Sequence, residues 1–173
     1  MNRSTFIGAG IAAVVMAIDQ ATKIAMLGRL GDDSPPTPLL PFLDLNLRLN
    51  RGVSFSFLAQ QSKLGVDLLI AFTLAVTAAL VVWLLRTRSQ LAACGIGAII
   101  GGAIGNVADR FAYGAVVDFL DLHAFGRHFF VFNIADAAIN VGVALLLIEA
   151  AWGQGAAKGG GASAGDRAKG LGR

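Results

Sequence analysis

Residues 91–118 read LAACGIGAIIGGAIGNVADRFAYGAVVD. From Leu91 to Val107 this stretch carries no charge. It falls within the ~17–25 residues that a helix needs to cross hydrocarbon. Gly97, Gly101 and Gly105 recur every fourth residue, with Gly102 beside them. Small residues at that spacing let two helices approach closely in lipid. The end of the stretch then turns polar, with Asn106, Asp109, Arg110 and Asp118. A carboxylate near hydrocarbon costs about 2.5–3.5 kcal/mol at a helix centre on insertion scales. A chain that retains several has a use for them.

Working outward, three more apolar stretches of spanning length lie at about 5–27, 64–85 and 134–152. The first is interrupted by Asp19 and Lys23, and the polar run DQATK with no small-residue cleavage site marks it as a retained helix. Of the 173 residues, 55% are hydrophobic and 14% charged. Mean hydropathy is +0.68. An ordinary soluble domain carries about 25% charged residues, so the composition excludes that class. The net charge of +3 is scattered, without the basic patch that would suit nucleic acid. The single Cys94 excludes a disulfide within the chain and reads as packing.

Between the first two spans, Leu43, Leu45, Leu47 and Leu49 alternate with Asp44, Asn46, Arg48 and Asn50. Period two is the signature of a strand with one apolar face. The alternation resumes at Val53 after the turn-like Asn50-Arg51-Gly52, giving an outer β region at about 39–58. The fold expected is therefore a membrane all-α bundle of four transmembrane helices with a small extracytoplasmic β-sheet, or cradle. It fills residues 1–152 as one domain, with a disordered cytoplasmic tail at 153–173. Arg3, Arg86, Arg88, Lys158, Arg167, Lys169 and Arg173 all fall on one side of four spans. The positive-inside rule makes that side the cytoplasm, with both termini inside.

That topology gathers the polar residues at one depth. Asp19 and Lys23 lie toward the outer end of the first helix, and Asn106, Asp109 and Arg110 at the outer end of the third. Asn133 and Asp136 open the fourth, while Asn50 and Asp118 belong to the outer connections. An ion path would need polar residues at several depths, and the inner halves offer only Glu149. Asp19 and Lys23, four apart on one face, read as a self-neutralising pair with Lys23 snorkelling outward. His123 and His128 read as surface histidines in a loop, without metal-ligand spacing. Ser54 and Ser56 lack a neighbouring base. Asp118 and Asp136 remain as the best carboxylate pair. Two carboxylates in a low-dielectric site share a proton, one serving as general base on a water and the other as general acid.

Five blocks in this order resemble the lipoprotein signal peptidase (signal peptidase II) family of bacterial membrane aspartic peptidases. They are DQATK (Asp19–Lys23), NRGVSF (Asn50–Phe55), GGAIGNVADR (Gly101–Arg110), VVDF (Val116–Phe119) and FNIAD (Phe132–Asp136). The resemblance implies a catalytic dyad of Asp118 and Asp136. It implies that Asn50, Gly52, Asn106 and Arg110 contact or position substrate, and that Asp19, Lys23, Asp109 and Asn133 support the site. It further implies a cradle of outer strands on the membrane and a mobile loop before Phe132. The family removes the signal peptide of prolipoproteins before a diacylglyceryl cysteine, without metal or cofactor, and is blocked by globomycin-type peptides. The partners expected are a lipidated prolipoprotein and membrane lipid, with the enzyme acting as a monomer in the bacterial inner membrane and its site on the outer face.

Overall fold

The computed structural model describes residues 2–31, 35–52 and 63–159, with side chains to residue 152 in the last stretch. Four helices are long and apolar enough to span a bilayer: α1 (Arg3–Arg29), α2 (Lys63–Arg86), α3 (Gln90–Tyr113) and α4 (Ile134–Gly159). Four strands, β1 (Thr37–Leu40), β2 (Leu43–Asn50), β3 (Val116–Ala124) and β4 (Arg127–Phe132), form one antiparallel sheet in the order β1-β2-β3-β4.

The glycine stripe makes α3 the centre of the bundle. Its apolar window is 72% buried, against 11–17% for the other three helices. A Cβ on Gly97 would collide with the Gly8 carbonyl of α1, and one on Gly101 would stand 2.5 Å from the Ala12 oxygen. On another face, a Cβ on Gly102 would stand 2.5 Å from the Ala135 oxygen of α4. Helices α1 and α4 therefore clasp α3 at backbone distance. The α2 helix joins through side chains instead, with Leu84 packed against Ala93, Ile96 and Ile100. At the end away from the sheet, the Asn2 amide donates to the Thr87 carbonyl and the Ser4 hydroxyl to that of Arg88, each at 2.8 Å. These bonds tie the start of α1 to the α2–α3 turn.

The sheet stands on the opposite end. Leu47, Val117 and Phe119 form a small core against Met26, Leu27 and Leu30 at the end of α1 and Ile134 at the start of α4. Leu45 pairs with Leu120 but Arg48 pairs with Asp118, so β2 carries one extra residue there. This is a β-bulge, which breaks strand alternation and bends the strand. Asn46 and Leu47 are consequently both buried, and the expected single apolar face does not run the length of β2.

The structure corrects several expectations. Helix α3 continues past Val107 to Tyr113, because the chain stops at the left-handed Gly114 (φ 67°), not at the first polar residues. Asp109 and Arg110 are thus helical. Helix α4 continues past Trp152 to Gly159, into the stretch expected to be a disordered tail. The second outer connection is not a loop: β3 and β4 occupy it, and β4 stands where the mobile loop before Phe132 was expected. Two of the four strands therefore come from that connection. His123 and His128 accordingly sit on paired strands, close to Asp44 and Asp121 respectively. The expected strand resuming at Val53, up to residue 58, lies outside the described residues.

Backbone against backbone leaves no flexible atom to give way at Gly97. Gly97→Ala is expected to cost about 1–3 kcal/mol, read as a lowered midpoint of thermal unfolding in detergent. Gly10→Ala, where nothing lies within 4 Å of the added carbon, should instead leave the midpoint unchanged or raise it, since alanine is the better helix former.

Candidate active site

The site is built around one buried cation. Lys23 on α1 is 1% exposed. Its ammonium lies 2.8 Å from Asp19 Oδ2 and 2.7 Å from Asp109 Oδ2, and donates to Asn106 Oδ1 at 3.0 Å. Three ammonium hydrogens meet three acceptors, so the group is fully satisfied. Lys23 does pair with Asp19, as their spacing suggests, but it points inward instead of snorkelling. The carboxylates carry the network further. Asp19 Oδ1 accepts the Ala135 N–H of α4 at 2.9 Å, and Asp109 Oδ2 accepts the Val117 N–H of β3 at 3.1 Å. Gly105 leaves the space that the Asp19 carboxylate occupies. Four elements thus converge on one charge cluster.

The cluster sets the direction of the bonds beyond it. An ammonium can only donate, so Asn106 must present its oxygen to Lys23. Its amide nitrogen is then turned to Asp136 Oδ1, at 2.9 Å. Asn133 caps α4: its Oδ1 accepts the Asp136 N–H at 2.9 Å, while Asp136 Oδ2 accepts the Asn133 N–H at 3.3 Å. This reciprocal arrangement is a capping box. The Asn133 amide nitrogen is left to donate to Asp118 Oδ1 at 2.7 Å.

The other Asp118 oxygen is served from β2. Asn50 Nδ2 donates to Asp118 Oδ2 at 2.9 Å, and Asn50 Oδ1 is held by the Gly52 N–H at 3.0 Å. Gly52 has φ +126°, and a Cβ there would stand 2.9 Å from Leu69 Cδ1. Only glycine occupies that backbone region readily. Its place in the site is therefore to hold Asn50 in the orientation that serves Asp118.

Asp118 and Asp136 share Asn133 as a partner and lie close enough for their charges to interact. Each of the four carboxyl oxygens accepts a bond from an uncharged amide. Arg110, half-buried, donates from Nη1 to the Asn106 carbonyl at 3.2 Å, with its charge near Asp136, Asp109 and Asp118. Burial pushes the Asp118 carboxyl up to about 6, and the Asp136 charge adds to the rise against the opposing amide of Asn50. A carboxyl with that value releases and recovers a proton near neutrality. Beside a second carboxylate, this arrangement suits general acid–base work on a water.

All ten residues singled out by the sequence thus meet at one end of the bundle: Asp19, Lys23, Asn50, Gly52, Asn106, Asp109, Arg110, Asp118, Asn133 and Asp136. One member was missed. Gln20 donates to Asp109 Oδ1 at 2.9 Å and to the Gly105 carbonyl at 3.2 Å. Its place inside DQATK is the only signal that could have found it. A second polar group, Asn46, Asp121 and His128, lies in the sheet and was not foreseen.

The sequence profile described as Signal peptidase (SPase) II matches residues 11–152. A lipoprotein signal peptidase of Methylobacterium sp. (strain 4-46) is 44% identical over 155 residues, covering 88% of this chain and 93% of its own. That of Methylocella silvestris is 43% identical over 166 residues, covering 95% of this chain and 97% of its own. Among solved structures, a bacterial membrane enzyme determined by the in meso method at 1.9 Å resolution superposes with a TM-score of 0.72. It shares 30% identity and covers 82% of this chain and 90% of its own.

The charge cluster yields a direct test. Lys23→Met leaves Asp19 and Asp109 buried without their cation, which should cost about 3–5 kcal/mol. Thermal unfolding in detergent should show the loss, and Asp19→Asn with Asp109→Asn in the same chain should recover part of it.

Proposed function

The chain belongs to the signal peptidase II family, and we propose that it removes the signal peptide of prolipoproteins by activating water between Asp118 and Asp136. The observation that carries this reading is the shared amide scaffold at the end of the spans. Asn133 bonds to both carboxylates, while Asn106 and Asn50 hold the far oxygen of each. The dyad holds one proton, on Asp118. Asp136 takes a proton from the water as its oxygen attacks the scissile carbonyl carbon. Asp118 donates its proton to the carbonyl oxygen, giving a tetrahedral diol. Collapse of that diol returns a proton to Asp118 and breaks the C–N bond. The proton held by Asp136 goes to the departing amine.

The supporting residues act at one remove. Lys23, Asp19 and Asp109 fix the Asn106 amide, and Gly52 fixes Asn50. Arg110 lies on the sheet side of Asn106, where its guanidinium offsets the negative charge of the dyad and meets substrate. The basic turn carrying Arg86 and Arg88 lies at the far end of the bundle, and the positive-inside rule therefore supports a site on the outer face. A substrate anchored by diacylglycerol in the outer leaflet would present its scissile bond at that depth, just before the lipidated cysteine.

Asp118→Asn and Asp136→Asn should each lower cleavage of a diacylglyceryl prolipoprotein peptide by at least about 1,000-fold, with helix content retained in detergent. Substantial turnover by either variant would overturn the dyad. The pH profile tests the proton assignment. The raised value of Asp118 means that its proton persists to higher pH than on an ordinary carboxylate. It is lost as pH rises through about 6, so kcat/KM should fall on that side. The limb in kcat should lie higher, because bound lipid and peptide exclude water from the dyad. A kcat/KM profile that stays level from about pH 5 to 8 would remove the proton from Asp118.

A further inference from the structure

Asn50 meets Asp118 only because β2 is not a regular strand. Its sequence, LDLNLRLN, alternates perfectly from Leu43 to Asn50. At the start of β2, Leu43 pairs with Leu122 and Leu45 with Leu120. Directly opposed residues share a face of an antiparallel sheet, so these leucines share the face of Leu120, Leu122 and, by period two, Asp118. If that register ran on, Leu47 would fall opposite Asp118 and Leu49 opposite Val116. Asn50 would then point away from the dyad, because a slip of one residue turns every side chain to the other face. The extra residue between Leu45 and Arg48 changes the phase. Beyond it Arg48 pairs with Asp118 and Asn50 with Val116, and the Asn50 amide reaches Asp118 Oδ2 at 2.9 Å. Bulges next to active sites re-aim side chains in this way.

This bulge turns two consecutive side chains inward, Asn46 at 7% exposure and Leu47 at 5%. Leu47 is seated in the small core with Val117 and Phe119. Asn46 carries an amide, and a buried amide without an acceptor is costly. Asp121 supplies the acceptor, receiving the Asn46 amide on Oδ2 at 2.8 Å. The same oxygen lies 2.9 Å from His128 Nδ1 of β4, so one carboxylate on β3 ties β2 to β4. Burial works against the ionised form of Asp121. The Asn46 amide and the neighbouring His128 and His123 outweigh it and hold the carboxyl below the usual carboxylate range. Asp121 stands on the face of β3 opposite to Asp118, so its route to the dyad runs through the β2 backbone. On the reading of the dyad given above, we propose that Asn46 and Asp121 are positioning residues: their bond seats the bulge of β2, and the seated bulge delivers Asn50 to Asp118.

The test compares full-length variants in mixed micelles by the pH profile of kcat/KM on a diacylglyceryl prolipoprotein peptide. Asp121→Ala leaves the Asn46 amide without its acceptor. It should lower kcat/KM by about tenfold or more, the size of one charge-assisted bond lost at Asp118. The Asn50 amide opposes the rise of the Asp118 carboxyl, so its departure should also move the alkaline limb to higher pH. Removing the Asp121 charge by itself would move that limb the other way. Asp121→Asn removes the same charge but keeps an oxygen for the Asn46 amide, and should hold rate and limb near wild type. Asn50→Ala should behave as Asp121→Ala does, and the two together should cost no more than Asn50→Ala alone. An unmoved or lowered limb in Asp121→Ala would overturn the inference. So would additive losses in the double variant, or equal losses in Asp121→Ala and Asp121→Asn. Should Asp121→Ala not fold in detergent, Asn46→Ala breaks the same bond from β2 and is held to the same limb and double-variant outcomes. If wild type cleaves no peptide, or Asp118→Asn keeps its turnover, the dyad reading fails and this inference fails with it. An intact dyad beside an Asp121→Ala enzyme that behaves as wild type removes the role of the bulge alone.

Discussion

The ammonium of Lys23 is the point on which the site depends. Taking such a group out of water costs several kcal/mol, and the cost is met only when every hydrogen finds an acceptor. Here the acceptors come from α1 and α3, and the two carboxylates among them also bind backbone N–H groups of α4 and β3. The cluster is therefore both an anchor and a polarity reference. Because lysine only donates, the amide of Asn106 has one permitted orientation, and its nitrogen faces Asp136. Asn133 is oriented in turn by its cap on α4 and delivers its own amide to Asp118.

That geometry requires helices that touch. Contacts of 2.7–3.0 Å from Lys23 to groups on α3 are possible only where no side chain keeps the two helices apart. Gly97 and Gly101 bring α1 against α3, and Gly105 leaves room for the Asp19 carboxylate itself. Gly102 does the same for α4. In lipid there is no hydrophobic force between helices, so close packing and interhelical polar bonds must supply the association. The glycine stripe and the charge cluster lie on the same helix, and each makes the other possible.

Much of this was legible because spans and period-two strands leave plain marks. The four apolar stretches, the glycine spacing at 97, 101 and 105, and the polar crowding at one depth led directly to the bundle and its site. The end of α3 was misplaced because polar residues look like a membrane boundary, whereas the helix obeys its cap at Gly114. Strand β3 was missed because VVDFLDLHA does not alternate: Val116, Val117, Asp118 and Phe119 are all buried, so neither face reads as polar. The bulge in β2 was hidden for the opposite reason, since a perfect alternation in sequence gives no sign that an extra residue interrupts the pairing. Gln20 was passed over because a single amide beside a charged residue has no pattern of its own, and only its place inside DQATK marks it.

The four aspartates of the site fall into two kinds, and the partner decides which. Asp19 and Asp109 are bound to an ammonium. Without both carboxylates the buried cation would be stranded, so their charge is part of the fold. Asp118 and Asp136 are bound to amides, which carry no charge to strand. An amide donor keeps its bond to a carboxyl oxygen whether or not the other oxygen bears a proton. Proton exchange at these two positions therefore leaves the scaffold intact. The chain surrounds Asp118 and Asp136 with asparagines and keeps Lys23 one layer back, which lets the charge that locks the helices together coexist with carboxylates held by neutral partners.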